Sequence, residues 1–297
     1  MHIGQTKILD THAEAFAARY ARLIVTAADD YWLSMAVSAL AGYGTSVIGC
    51  DAEVAVERWL PSGETPDGRP GAAVLLFTFL VGQLAEAVGN RVGQCVLTCP
   101  TASCFNGLAE SAETVPLGDY IRYFGDGFEV QAVGSGVSRW QIPVMDGAFL
   151  VDAVAGAAHG IAGGNIIIHA DSQMAGLAGA LRAVEAVRPL PGVITPFPGG
   201  VCRSGSKVGS KYKNLVASTA ETYCPTLRGQ VATQLADGAT CAYEIVIDGV
   251  SKEAVAVAMR AAIEDAAGPG VLAIGAGNFG GRLGKHALRL HDLFRDA

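Results

Sequence analysis

Hydrophobic positions along the chain change between strand-like runs and helix-like spacings, and the same order of elements occurs twice. Gly42 and Gly44 end the first helix, and Ser251 is a candidate N-cap for the last one. In the first half, the pattern predicts a strand at 23–26, a helix at 29–40, strands at 46–48 and 73–80, a helix at 83–88 and a strand at 94–98. In the second half it predicts a strand at 165–169, a helix at 172–187, strands at 192–195 and 243–247, a helix at 251–267 and a strand at 271–274.

Each half therefore has the order βαββαβ, which predicts an α+β fold of two ferredoxin-like (split βαβ) lobes related by an internal repeat. The boundary falls near Gly147, which gives an N-terminal lobe of residues 1–147 and a C-terminal lobe of residues 148–297. Between the repeats, Asp126-Gly127 predicts the turn of a hairpin within 120–140. Helices cover one face of such a sheet, so the bare face must pack on something, and we expect an oligomer.

Charge and composition exclude several classes of protein. The 297 residues hold 21 Lys and Arg against 28 Asp and Glu, a net charge of −7, and no basic tract marks a nucleic-acid partner. Mean hydropathy is +0.34, yet the uncharged stretches 31–50 and 70–85 are interrupted or too short to predict a membrane span. The first residues lack the apolar region of a signal peptide, and seven cysteines do not suggest a disulfide framework, so we expect a cytoplasmic protein.

Glycine is in excess, with 38 residues where average usage of ~7% predicts about 21. Gly275–Gly280 matches the dinucleotide pattern G-x-G-x-x-G, but only 17 residues follow it, too few for the strand and acid that the motif needs. Residues 200–207 resemble a P-loop with Ser206 in place of its Lys. Both segments are interpreted as loops in which the backbone approaches a ligand closely.

The other familiar chemical motifs are missing from the sequence. Cys95, predicted to fill space in a strand, Cys99 and Cys104 lack the paired spacing of zinc sites, and no H-E-x-x-H occurs. We therefore expect no metal. No G-x-S-x-G occurs either, which excludes the nucleophile elbow of esterases.

Two polar features remain as candidates for function. Arg203, Lys207, Lys211 and Lys213 follow one another without an acid between them, so they form either a solvated loop or an anion-binding loop. Glu244 interrupts the apolar strand 243–247, on the face of Val246. It is either an edge carboxylate that reaches solvent or an acid kept protonated by desolvation, able to donate to a developing oxyanion.

Ten segments in the same order give the chain a close resemblance to the formylmethanofuran:tetrahydromethanopterin formyltransferase family. They are residues 42–48, 64–71, 99–103, 124–127, 162–165, 196–200, 206–211, 223–226, 243–247 and 276–281. The resemblance implies two ferredoxin-like lobes, a homodimer or homotetramer, and no metal or tightly bound cofactor. It also implies formyl transfer between the amine of methanofuran and N5 of (dephospho)tetrahydromethanopterin, with these carriers as cosubstrates, and it places the family's acid at Glu244.

Side-chain chemistry suggests which other residues bind the carriers. Arg203, Lys207 and Lys211 suit the glutamyl tail of methanofuran, and Phe197 or Phe279 suits a furan or pterin ring. The remaining polar candidates are Thr101, Ser103, Ser206 and Asn278.

The family acts in one-carbon metabolism, in methanogens or inside a formyltransferase/hydrolase complex of methylotrophic bacteria. The moderate net charge favours the bacterial setting. Two alternatives stay open, a non-catalytic structural subunit of such a complex and a ferredoxin-like sensor of a small molecule. An acid within an apolar strand argues against a structural subunit.

Overall fold

The computed structural model describes residues 1–134, 136–281 and 283–295 and shows a mixed α+β protein whose strands pair mostly antiparallel. Five segments of the described chain are α-helical: α1 (Asp30–Ala41), α2 (Val81–Arg91), α3 (Gly118–Ile121), α4 (Gln173–Val187) and α5 (Lys252–Ala266). No helix in these residues is long and apolar enough to cross a membrane.

The strands are numbered in chain order. They are β1 (His2–Ile3), β2 (Thr6–Ile8), β3 (His12–Thr26), β4 (Glu53–Leu60), β5 (Gly71–Thr78), β6 (Ser103–Asn106), β7 (Glu113–Pro116), β8 (Val130–Gly134), β9 (Val137–Val144), β10 (Gly147–Asp152), β11 (Val154–Ala170), β12 (Val193–Ile194), β13 (Lys207–Val208), β14 (Ala217–Ser218), β15 (Cys241–Gly249), β16 (Val271–Gly275) and β17 (His286–Arg289).

The chain forms two compact units. The central unit comprises residues 18–160, and its first strands pair antiparallel in the order β4-β5-β3-β6. Helices α1 and α2 bury Leu33, Leu40 and Leu84 in a core shared with alternate residues of the sheet, such as Leu23 and Leu76. β10 continues this sheet beside β6, followed by β9 and β8.

The terminal unit comprises residues 1–17 and 161–297. Its strands pair in the order β12-β15-β11-β16, and β2 extends the sheet by pairing parallel to β16. Helices α4 and α5 pack on each other and on one sheet face, where Met259, Ile263 and Ile168 are fully buried. The first residues of the chain thus belong to the same unit as the last.

Side-chain caps explain where three helices begin. Asp29 accepts the N–H of Trp32 at 3.0 Å, Ser172 accepts that of Ala175 at 3.3 Å, and Ser251 accepts that of Ala254 at 3.1 Å. An oxygen at this position satisfies a backbone donor that the first turn leaves unpaired. The predicted starts of α1, α4 and α5 are confirmed.

Three predictions for the central unit are wrong. Residues 46–48 lie in a loop, where the backbone N–H of Val47 donates to the carboxylate of Glu53. The second strand of the order is β4 instead. Residues 94–98 continue α2 as the π-helical turn Val92–Val96, so Cys95 lies in that turn and the last strand of the order is β6. Asp126 and Gly127 adopt left-handed backbone, but they end a 3-10 helix at Arg122–Gly125, while β8 and β9 form the hairpin.

Candidate active site

A cavity of about 280 Å³ opens in the terminal unit. Its walls are strands β11 and β15, the loop after β16, and the long excursion between β12 and β15. The residues that line it include Asn165, Ile167, Cys202, Arg203, Ser204, Ser206, Lys207, Glu221, Thr222, Tyr223, Cys224, Gln234, Tyr243, Glu244, Gly277, Asn278 and Phe279.

Strand alternation sorts the side chains of β11 and β15 between the helices and the cavity. Ile166 and Ile168 pack in the core with the helices, which places Asn165 and His169 on the opposite face. Glu244 pairs directly with Ile167 across the ladder and therefore shares that face. The predicted orientation of Glu244, away from the face of Tyr243, is confirmed.

Glu244 is a buried carboxyl at the wall of this cavity, and its pKa is shifted from the ordinary value. Its burial raises the pKa of the carboxyl to about 7, and a hydrogen bond from Cys202 acts in the opposite direction without cancelling that effect. Cys202 is fixed beside it, because the backbone N–H groups of the two residues donate to each other's carbonyls at 2.8 and 2.9 Å. Near neutral pH the carboxyl is therefore present partly as the acid and partly as the carboxylate.

His169 and Tyr223 support the wall of the cavity next to this acid. Burial lowers the pKa of His169 to about 4, so its ring is neutral. Nδ1 accepts the N–H of Ala236 at 3.1 Å, which leaves the ring proton on Nε2. The ring meets Tyr223 edge-on at 5.6 Å between centroids, and burial together with the charge of Glu244 raises the pKa of the Tyr223 hydroxyl.

Asn165 holds the loop after β16 against the cavity. Its Oδ1 accepts the N–H of Gly277 at 2.7 Å, and its Nδ2 donates to the carbonyl of the same residue at 3.1 Å. A Cβ on Gly277 would lie 3.9 Å from Oε1 of Glu244 and 3.3 Å from the side chain of Ile167. The glycine backbone therefore passes close to the acid, in a space that a larger residue would narrow.

The basic segment contains an ion pair that the spacing of its residues does not reveal. Lys207 donates to Glu221, which the hairpin of β13 and β14 brings back to it, and the contact lowers the pKa of the Glu221 carboxyl. Arg203 and Lys207 line the cavity and are exposed. Lys211 and Lys213 are exposed on the same excursion and lie outside the lining.

The other predicted binding residues are divided between the two units. Ser206, Asn278 and Phe279 line the cavity, whereas Phe197 is partly buried before the turn at Pro198–Gly200 and lies outside the lining. The structure thus brings six of the ten together, namely Glu244, Arg203, Ser206, Lys207, Asn278 and Phe279.

Thr101 and Ser103 lie in the central unit, where both accept hydrogen bonds from Arg69 of the same unit. Arg69 donates to the carbonyl of Thr101 and, at 2.8 Å, to the hydroxyl of Ser103, which is buried. Thr101 has a φ of 64°, a left-handed conformation that is unusual for a β-branched residue. Their part in binding stays a prediction.

Sequence reasoning missed Asn165, His169, Cys202 and Tyr223. A signal for two of them was present, because Asn165 and His169 stand four positions apart on one face of an otherwise apolar strand. The excursion that carries Cys202 and Tyr223 has no periodic pattern to place its side chains. In the part of the chain that the structure describes, no three His, Cys, Asp or Glu side chains are grouped so that they could hold a metal ion.

A carboxyl with a raised pKa at the wall of a cavity is typical of enzymes that stabilise an oxyanion on a carbonyl substrate. Comparison with known proteins identifies the kind of enzyme. Residues 1–144 match the family model "Formylmethanofuran-tetrahydromethanopterin formyltransferase", and residues 147–293 match "FTR, proximal lobe". The chain belongs to the formylmethanofuran–tetrahydromethanopterin formyltransferase family, which confirms the resemblance and the predicted enzyme class.

Relatives of bacteria and archaea match over almost their whole length. The formyltransferase of Methylococcus capsulatus is 49% identical over 99% of both chains, and that of Methanosarcina mazei is 45% identical over 99% of this chain and all of the other. The solved formyltransferase of Methanosarcina barkeri superimposes with a TM-score of 0.93 at 44% identity, over 99% of this chain and 100% of that one. A formyltransferase/hydrolase complex from Methylorubrum extorquens, solved with methylofuran, gives 0.94 at 43% identity, over 99% of each chain.

Proposed function

We propose that this protein transfers a formyl group between N5 of (dephospho)tetrahydromethanopterin and the amine of methanofuran, with Glu244 as the acid. The observation that carries the proposal is the carboxyl of Glu244, whose burial raises its pKa to about 7 at the wall of the cavity. Family membership supplies the reaction, and the two carriers are cosubstrates.

The reaction needs a proton donor at the formyl oxygen. The amine of one carrier attacks the formyl carbon, a C–N bond forms, and the oxygen gains negative charge. Protonated Glu244 donates a hydrogen bond to that oxygen, a contribution of about 2.7–4 kcal/mol for a well-placed donor. When the tetrahedral intermediate collapses, the C–N bond to the other carrier breaks, and its nitrogen takes up the proton that the attacking amine has lost. Alignment of the two bound carriers lowers the rest of the barrier.

A Glu244→Gln variant tests the acid role, because an amide keeps the shape of the side chain and still donates a hydrogen bond, but it is a weaker donor than a carboxylic acid and does not ionise. We expect kcat of the wild type to fall about tenfold per pH unit above pH 7, as ionisation removes the acid. The variant should lose that dependence, because its side chain does not ionise, and its kcat should fall, because an amide is the weaker donor. A variant with full kcat and an unchanged pH profile would refute the role of Glu244.

We further propose that the basic excursion binds the acidic tail of methanofuran. Arg203 and Lys207 line the cavity, and the exposed Lys211 lies on the same excursion. Because Glu221 already neutralises part of the charge of Lys207, Arg203 and Lys211, which form no ion pair within the described residues, should contribute most of the attraction. Phe279, at the wall of the cavity, and Phe197 are the proposed ring contacts, and Ser206 and Asn278 are proposed polar contacts.

We propose that the chain consists of two ferredoxin-like lobes, residues 1–147 and 148–297. The support is the strand order, which is β4-β5-β3-β6 in the central unit and β12-β15-β11-β16 in the terminal unit. In both, the first strand of the βαββαβ order lies between the third and the fourth. The compact units differ from this division, because residues 1–17 belong to the terminal unit and residues 148–160 to the central unit.

We infer that the protein works as a homodimer or homotetramer, with or without further subunits of a formyltransferase/hydrolase complex. Exposed aromatic side chains support an assembly, since Tyr120, Tyr123, Phe124 and Phe128 of the central unit are each 48% to 77% exposed. Native mass spectrometry of the isolated chain, combined with the transfer assay, tests this. A chain that transfers formyl only after partner subunits are added would favour the structural-subunit alternative. The cytoplasmic location stays a prediction, supported by seven free thiols.

A further inference from the structure

Glu14 is a buried carboxylate whose recorded partners are backbone N–H groups. It lies on β3, where it pairs with Ala287 of β17, and it is 1% exposed. Its two oxygens accept the N–H groups of Phe279 at 2.9 Å, Gly281 at 2.8 Å, and Leu283 and Gly284 at 2.5 Å each. Residues Gly277–Gly281, Leu283 and Gly284 are called the glycine loop below.

This arrangement requires an ionised carboxylate. Burial acts to raise the pKa of Glu14, but the four backbone hydrogen bonds outweigh it and hold the pKa below the ordinary value. A carboxylate offers about four lone-pair sites and no proton, which matches four donors. The loop therefore folds around a negative charge that belongs to the protein itself, as anion-binding loops fold around a ligand.

The same loop forms part of the wall beside the acid. Phe279, whose N–H donates to Glu14, lines the cavity, as do Gly277 and Asn278. Gly277 is fixed by Asn165, and a Cβ at this position would lie 3.9 Å from Oε1 of Glu244. Two side chains thus hold the loop, Asn165 at its start and Glu14 along the rest.

We propose that Glu14 is a positioning residue for formyl transfer, which shapes the glycine loop so that its backbone closes the cavity against Glu244. This inference rests on the proposed function of Glu244. A displacement of about 1 Å in such a wall can lower a rate by ~10²-fold, and a loosened loop admits water to the acid. The titratable groups around Glu244 are Cys202, which donates a hydrogen bond to it, and Tyr223, whose pKa the charge of Glu244 raises.

The test compares Glu14→Gln with a matched control, Asp248→Asn. Asp248 is a fully buried carboxylate of the same unit, and it accepts the N–H of Gly163 at 2.9 Å. In Glu14→Gln, the amide N–H groups face backbone N–H groups and leave two of the four donors without an acceptor. We expect kcat to fall roughly tenfold to a hundredfold and the apparent pKa of the kcat profile to move about one unit downward. Asp248→Asn should change neither, even where it lowers the melting temperature.

Hydrogen exchange of peptides that cover the glycine loop gives a readout without substrate. We expect faster exchange there in Glu14→Gln than in the wild type or in Asp248→Asn. Because this measurement needs no turnover, it judges Glu14 even if the wild type shows no formyl transfer, an outcome that would refute the proposed function instead.

Glu14→Asp is the second variant, since it keeps the charge but is too short to reach all four donors. We expect values of kcat and apparent pKa between those of the wild type and Glu14→Gln. If Glu14→Gln does not fold, the kcat, pH profile and loop exchange of Glu14→Asp test the proposal instead. Unchanged kcat, pH profile and loop exchange in a folded Glu14 variant would overturn the proposal.

Discussion

The two compact units have the same order of strands but differ on the sheet face that lies away from their helices. In the central unit this face carries the fully buried Phe77 and Phe105, and its buried hydroxyls, those of Thr26 and Ser103, are hydrogen-bonded to Arg69. In the terminal unit it carries Glu244 and His169, together with the cavity. Both faces therefore hold buried polar groups, and the terminal unit differs in that its buried carboxyl, Glu244, borders a cavity that a substrate can enter.

The largest effect is expected when the acid on this face is replaced by an apolar residue. Glu244→Leu removes the acid and puts an apolar side chain in its place at the wall of the cavity. We expect kcat to fall by roughly 10²–10³-fold, the cost of losing one oxyanion donor.

The stability of Glu244→Leu should change with pH in a defined direction. In the wild type the pKa of Glu244 is about 7 when folded and 4.5 ordinarily. The folded state therefore binds the proton more tightly, and the stabilisation this gives is complete below pH 4.5 and lost as the pH rises through 7. Urea unfolding should show the wild type losing stability relative to the variant over that range. The opposite trend would contradict the assigned pKa.

The next effect concerns His169, the buried base of the same face. His169→Leu leaves the N–H of Ala236 without its acceptor, which should lower the free energy of unfolding by about 1–3 kcal/mol. His169→Gln offers an acceptor and should cost less.

The pH dependence of His169 has the opposite sign to that of Glu244. Its pKa is about 4 when folded against 6.5 ordinarily, so its contribution is present above pH 6.5 and is lost as the pH falls through 4. Denaturant titrations of the wild type and His169→Gln at pH 7 and pH 4 measure this. Equal differences at both values would show that the ring does not titrate as described.

A smaller effect is expected at the exposed lysines of the excursion. The double variant Lys207→Ala, Lys211→Ala should raise KM for methanofuran about threefold to tenfold, because exposed charge pairs contribute ~0.2–1 kcal/mol each. It should reduce the salt dependence of KM and leave kcat unchanged. Lys252→Ala, an exposed lysine at the start of α5, is the control. Identical KM values in both variants at low salt would remove the lysines from the tail-binding proposal.

The smallest effects should be equal in the two units, because they concern a feature that both share. Asp29→Ala in the central unit and Ser172→Ala in the terminal unit each remove an N-cap, at a cost of about 1 kcal/mol. Thermal unfolding measures that loss, and kcat should stay within about twofold of the wild type. A cap variant that abolished transfer would show that catalysis depends on the helix ends.

Helices and long buried strands were predictable from the sequence because their signals are local. Asp29, Ser172 and Ser251 mark the helix starts, and the alternation around Glu244 gives the face of its side chain. The turn at 46–48 and the π-helical turn Val92–Val96 contain apolar runs that resemble strands, and only the packing around them decides otherwise.

Much of the site could not be predicted, because it depends on contacts between residues distant in sequence. Glu221 neutralises Lys207 only because a hairpin returns the chain to it. Glu14 meets its donors 265 to 270 positions away, and no periodicity links the two segments. Such contacts become visible only once the sheet is assembled.

The placement of the first 17 residues bears on how the protein is made. They leave the ribosome first, but they pack with residues 161–297, and Glu14 meets its partners only after Gly284 has been synthesised. The central unit, by contrast, is continuous and can fold while synthesis proceeds. Until Gly284 has been made, the nascent chain has to keep residues 1–17 from pairing elsewhere. The wall beside Glu244 is therefore among the last parts of the protein to form.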